Sequence, residues 1–177
     1  MIWSDCGGMP RGWASRVRSS MHLKVISAGQ KLPDWVNAGF EEYRRRFPRE
    51  MRLELTEVPL GGRGRQTDTA RAVREEGERM LRALRGPEWV IALEIDGRQW
   101  STEKLAERLS HWRMEGQDVA FFIGGPEGLS EECRERSNQA WSLSPLTLPH
   151  PLVRVMLAEQ LYRAWSINCN HPYHRGG

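Results

Sequence analysis

The feature that most constrains this chain is a repeated alternation of short apolar runs with stretches of helical periodicity. His22 to Ala28, Met51 to Val58, Trp89 to Ile95, Val119 to Ile123 and Trp141 to Ser144 read as strands. Val119 to Ile123 is apolar at every position, as a strand covered on both faces must be. Met51, Leu53 and Leu55 alternate with polar residues, the mark of a half-buried strand. Between the strands, Pro33 to Phe47 repeats Trp35, Val36, Phe40, Tyr43 and Phe47 at helical spacing. Thr67 to Arg85 and Ser101 to Glu115 do the same, a short helix fits Ser130 to Ser137, and a last helix fits Pro151 to Ser166. Parallel strands need crossover connections, and helical crossovers cover both sheet faces. The expected fold is α/β, a three-layer sandwich with a mainly parallel sheet, formed as a single domain by residues 21–177.

Residues 1–20 carry Gly7-Gly8, Pro10 and Gly12 without apolar periodicity, and read as a disordered extension. A transit peptide is the alternative for an Arg- and Ser-containing, acid-poor leader. Charged residues are 28% and hydrophobic residues 39% of the chain, which excludes a disordered protein as a whole. No apolar run reaches the length of a membrane span. Cys6, Cys133 and Cys169 cannot all pair, so a disulfide framework is not expected and a reducing, cytoplasmic setting is. The net charge of +3 rests mainly on arginine, whose planar fork suits phosphate and whose face stacks on bases. A GC-rich genome produces the same bias.

Five segments can carry chemistry. Ile123-Gly124-Gly125-Pro126-Glu127-Gly128 leaves the end of a buried strand, where α/β sheets bind ligands. It matches neither the dinucleotide fingerprint nor the phosphate loop, and a plain tight turn reads equally well. Leu143 to Pro151 holds three prolines among apolar residues. Its backbone suits an adenine ring, or it is a buried connection into the last helix. That helix is apolar over most of its circumference, with Glu159, Gln160 and Arg163 as its polar stripe, and so needs cover on two sides, including a partner subunit. Arg154 lies opposite that stripe and needs either a structural carboxylate or a bound anion. The tail Asn170-His171-Pro172-Tyr173-His174-Arg175 combines an aromatic face, imidazoles and a guanidinium, suited to an unpaired base and its phosphate. Cys169, His171 and His174 are possible metal ligands, but with no second cluster no metal is expected. Arg63 and Arg65, between glycines in the 61–66 loop, either reach a phosphate backbone or lie in solvent.

Leu-Thr-Leu-Pro-His-Pro-Leu-Val-Arg-Val at 146–155, Leu-Tyr-Arg-Ala-Trp-Ser at 161–166 and the tail Asn-His-Pro-Tyr-His-Arg resemble the RlmH family. Ile123 to Leu129 and Lys31-Leu-Pro-Asp-Trp-Val match it as well, so the resemblance runs from Met21 to Arg175. It implies a SPOUT-class methyltransferase with a C-terminal trefoil knot, working as a homodimer. The implied cofactor is S-adenosyl-L-methionine, and the implied reaction is methylation of N3 of a pseudouridine in large-subunit (23S-type) rRNA within the assembled ribosome. Cofactor contacts carry over to Leu93, Gly124, Gly125, Leu143, Ser144, Pro145, Leu146, Thr147 and Leu148. Pro145 departs from the small residue common there in relatives. Within that reaction His174 is the candidate base or proton relay, Arg154 or Arg175 the partner of developing negative charge, and Tyr173 a stacking surface for the flipped base. The competing readings are an RNA-binding module without turnover and a nucleotide-binding α/β protein with a small-molecule substrate.

Overall fold

The computed structural model describes residues 20–62 and 68–175, so residues 1–19 and the arginines of the 63–67 stretch lie outside the described residues. The strands are β1 (Met21–Ala28), β2 (Met51–Val58), β3 (Trp89–Gln99), β4 (Val119–Ile123) and β5 (Gln139–Ser142). The helices are α1 (Asp34–Arg44), α2 (Thr69–Arg82), α3 (Thr102–Met114), α4 (Glu131–Arg136) and α5 (His150–Asn168), followed by a 3-10 turn at Pro172–Arg175. One five-stranded sheet has the order β2-β1-β4-β3-β5, with every neighbouring pair parallel.

The period of two along each strand divides the apolar runs between two cores. Leu23, Val25, Ile91, Phe121 and Ile123 face a cluster that includes Phe40 of α1, Leu105 and Leu109 of α3, and Leu157 and Leu161 of α5. Ile26, Ala28, Val90, Ala92, Ala120 and Phe122 face the other, with Met80 of α2 and Cys133 of α4. The three layers expected from the alternation are therefore present. Two polar side chains from β1, Lys24 and Ser27, are buried as well. Lys24 is held by Glu88 at 3.2 Å and by the Ala83 carbonyl at 3.1 Å, because a buried ammonium needs both a counter-charge and acceptors.

Local chemistry sets the helix starts. Asp68, Ser101 and Ser130 accept from the backbone N–H groups of Ala70, Lys104 and Cys133, capping α2, α3 and α4. α1 and α5 follow Pro33 and Pro149 instead and have no side-chain cap. The expected α1 to α4 overrun by one to three residues at each end, since periodicity extends past the last satisfied hydrogen bond, whereas α5 starts one residue earlier and ends two later than expected.

Two strands, β3 and β5, depart from the sequence reading by more than one residue. β3 continues from Ile95 to Gln99 through an irregularity in which Trp141 pairs with both Leu93 and Arg98. A side chain at Gly97 would stand 2.6 Å from the Trp141 carbonyl carbon, so this second approach needs glycine. β5 starts at Gln139 and ends at Ser142, two residues earlier than its apolar pattern indicates, and Leu143 and Ser144 belong to the following loop.

α5 packs on α1 through Val155 beside Gly39, and on α3 through Gln160 with Thr102 and Asn168 with the Ala106 carbonyl. Leu152, Val153, Val155 and Met156 stay partly exposed within the chain. No helix among the described residues is long and apolar enough to cross a membrane.

Removing the α3 cap by Ser101→Ala is expected to cost about 1 kcal/mol, read as a lower urea midpoint with an unchanged slope.

Candidate functional site

An open cleft of about 220 Å3 lies over the carboxyl ends of β3, β4 and β5. Of the expected cofactor residues, Leu93, Gly125, Leu143, Ser144, Leu146, Thr147 and Leu148 line it. Leu93 is the last β3 residue paired to β4, opposite Ile123. Gly124 and Pro145 are not in the lining. Gly124 is buried beneath the turn, where a Cβ would meet the Gly128 carbonyl carbon at 2.4 Å. Gly128 N–H donates to the Gly125 carbonyl at 3.0 Å, and Gly128 has a φ of +87°, a conformation that favours glycine. The glycines therefore close the turn on itself and leave its outer edge to the cleft.

The segment after β5 is a surface loop held by its serines. Ser142 Oγ donates to the Ser144 carbonyl at 2.9 Å, and Ser144 Oγ accepts from Leu146 N–H at 3.0 Å. These bonds leave the Leu146 side chain 70% exposed at the rim. The lining is suited to a flat ring bearing a polar edge, with apolar walls from Ile123, Trp141 and Val153 and main-chain groups from the loop.

His150 also lines the cleft and was not legible as a site residue from composition or spacing. It is the first residue of α5, set between Pro149 and Pro151, and it faces the Gly125 carbonyl. Burial and the Arg154 guanidinium lower its pKa, against the opposing influence of Glu127, Glu76 and that carbonyl. A polar residue at a helix start between two prolines was the available signal, because its backbone has little freedom to turn the ring away.

Arg154 is 1% exposed and fully engaged. Its Nε donates to Ser27 Oγ at 3.0 Å, one terminal nitrogen to the Gly29 carbonyl at 2.7 Å, and the other pairs with Glu57. Of the two partners open to it, the structure supplies the structural carboxylate. Its guanidinium is turned to the ends of β1 and β2 and is not part of the cleft lining.

The tail is docked by Tyr173. Its hydroxyl donates to Glu159 Oε1 at 3.0 Å and lies 3.5 Å from the Tyr43 hydroxyl, and its ring meets Tyr162 edge-on at 4.9 Å. Arg163 stands over the ring at 4.9 Å and pairs with Glu159 at 2.7 Å. Burial and the neighbouring Tyr43 and Glu159 hold the phenol well above its ordinary range. Tyr173 thus acts within the chain as an anchor, a role that the residue type alone does not reveal. His174 keeps Nδ1 without a hydrogen-bond partner among the described residues, and Arg175 donates to Asn170 Oδ1 at 2.7 Å. His171 Nδ1 accepts from Tyr173 N–H at 3.2 Å, and no cluster of metal-binding side chains forms among the described residues. None of the tail residues lines the cleft of the same chain. Tyr173 meets α5 at Glu159, nine residues and about 14 Å along the helix from His150.

Residues 21–174 match the model of the family described as predicted SPOUT methyltransferases. The match covers most of the chain, and the chain belongs to the SPOUT methyltransferase family.

Two outcomes follow from the geometry. Gly124→Ala forces Cβ into the Gly128 backbone, and calorimetry with S-adenosylmethionine is expected to show at least about tenfold weaker binding in a folded protein. Arg154→Ala leaves Glu57, Ser27 and Gly29 without their common donor, and is expected to lower the unfolding free energy by about 3 kcal/mol in urea titrations.

Proposed function

We propose that this SPOUT-family chain methylates N3 of a pseudouridine in large-subunit (23S-type) rRNA, using S-adenosyl-L-methionine and acting on the assembled ribosome. The observation that carries the reading is the cleft at the carboxyl ends of β3, β4 and β5, walled by the glycine turn and the 143–148 loop. The finer assignment to a ribosomal pseudouridine rests on the motifs at 146–155, 161–166 and 170–175. The same reading gives the chain beyond β5 a trefoil knot, and gives the protein a cytoplasmic location.

The residues present fit the cofactor in kind. Leu93, Leu143 and Leu148 supply apolar surface for an adenine, while Gly125 and the loop backbone supply hydrogen-bonding groups. Gly124 shapes this wall from beneath the turn, and Pro145 is an exposed residue of the same loop. The cofactor brings an electrophilic methyl group, so positioning supplies much of the rate. What remains for the protein is the acidic imide proton on N3. His174 is our candidate base or proton relay for it, its Nδ1 being buried and without a hydrogen-bond partner among the described residues, and Arg175 stabilises the negative charge spreading onto the flanking carbonyl oxygens. Tyr173 and Arg154 are positioning residues here. Tyr173 holds the tail on α5, and Arg154 holds the start of α5 against the sheet.

Cleft and tail are far apart within one chain, which supports a homodimer in which one protomer's tail serves its partner's cleft. The partly exposed Leu152, Val153, Val155 and Met156 of α5 are the apolar surface for such an interface.

The test is methyl transfer to ribosomes lacking the modification, with free rRNA as the comparison. Methylation is expected on the ribosomes and not on the free RNA. His174→Ala is expected to lower kcat by about a hundredfold or more while cofactor affinity holds. Transfer to free metabolites alone, or wild-type turnover by His174→Ala, would overturn the assignment.

A further inference from the structure

The cleft wall contains two titratable side chains that the proposed chemistry does not use, Glu94 of β3, which pairs with Arg134 at 3.0 Å, and His150. His150 opens α5 between Pro149 and Pro151, lines the cleft and faces the Gly125 carbonyl across it. It therefore touches both walls: the loop that leads into α5 and the glycine turn that leaves β4. In neutral imidazole one ring nitrogen donates and the other accepts. With a donor turned to Gly125, the second nitrogen offers the cleft an acceptor. When protonated, the ring has a donor at both nitrogens and a full positive charge at the wall.

The charged groups around it are Arg154 one turn along α5, Glu127 in the turn and Glu76 on α2, with Glu94 of β3 in the same cleft lining and held by Arg134. Arg154 is committed to Ser27, Gly29 and Glu57, and Glu76 accepts from Gly61 N–H at 2.8 Å. Burial and Arg154 outweigh the two carboxylates and keep the imidazole neutral at neutral pH.

The ligand's charge then matters. S-adenosylmethionine has a sulfonium, an ammonium and a carboxylate, and is a net cation. S-adenosylhomocysteine has lost the methyl group and the sulfonium charge, and is neutral overall. We propose, building on the methyltransferase reading above, that His150 is a charge gate on the cleft: its neutral form admits the cationic methyl donor, and its protonated form rejects the donor while tolerating the demethylated product. Two unit charges within the span of such a cleft repel measurably even through a partly aqueous medium. The product carries no net charge for the imidazolium to repel, so acidification shifts the competition between the two toward the product.

Calorimetric titration of the full chain with each ligand, between about pH 7 and about pH 5, tests this. Donor affinity is expected to fall about threefold on acidification, while product affinity changes less than about 1.5-fold. His150→Gln, which can donate to Gly125 and accept from the cleft but cannot gain a proton, is expected to bind the donor with no pH dependence. His150→Asn serves as a second uncharged variant, and thermal unfolding of each establishes that it is folded. Parallel acid weakening of donor and product, or an unchanged pH slope in the folded variants, would overturn the gate. Absence of donor binding by the wild type at every pH would overturn the methyltransferase reading itself, and the gate with it. Donor binding without pH dependence overturns the gate alone.

Discussion

The buried Arg154 cluster is the interaction on which the geometry of the cleft depends. A guanidinium removed from water must find acceptors, and this one finds them at the carboxyl ends of β1 and β2. That requirement fixes the first turn of α5 against the β1–β2 side of the sheet. β5 lies at the sheet edge, so the chain between Ser142 and His150 must pass over the ends of β3 and β4 to reach it. The loop that walls the cleft is thus placed by an arginine that does not itself enter the cleft. A hydrophobic residue at that position would pack, but it would not select one register of helix against strand.

Much of the architecture was legible because two periodicities were clean. The continuous apolar run at Val119–Ile123 and the alternation of Met51, Leu53 and Leu55 led directly to strands, and their separation by helices led to a parallel, three-layered sheet. The boundaries that differed have identifiable causes. β3 runs past Ile95 because Gly97 permits a second close approach to Trp141, a tertiary contact with no local signature. Leu143 reads as a strand residue by its apolarity, yet it belongs to the loop because Ser142 and Ser144 close a local turn there.

The site was legible in part, through motif resemblance more than through physics. The glycine turn and the 143–148 loop do meet at one cleft, although Gly124 leaves space for backbone beneath the turn and does not line the cleft. His150 escaped notice because a lone histidine in a proline-rich stretch has no spacing to recommend it. Tyr173 and Arg154 carried chemistry by residue type, whereas their surroundings show them engaged in holding the tail and the last helix. Whether a polar side chain is free or committed is a property of the folded neighbourhood, and a one-dimensional pattern does not contain it.

The Arg154 contacts also bear on the order in which the protein assembles. Its bond to Ser27 joins residues 127 positions apart, and α5 closes the core begun by β1. Closure of so long a loop is slow and comes after local structure has formed. On a translating ribosome β1 emerges long before its partner helix has been made, so the part of its face that α5 covers must wait exposed beside α1 and α3. The cleft is therefore a late product of folding, formed only when α5 arrives, and until then the nascent chain exposes the apolar surface that chaperones bind.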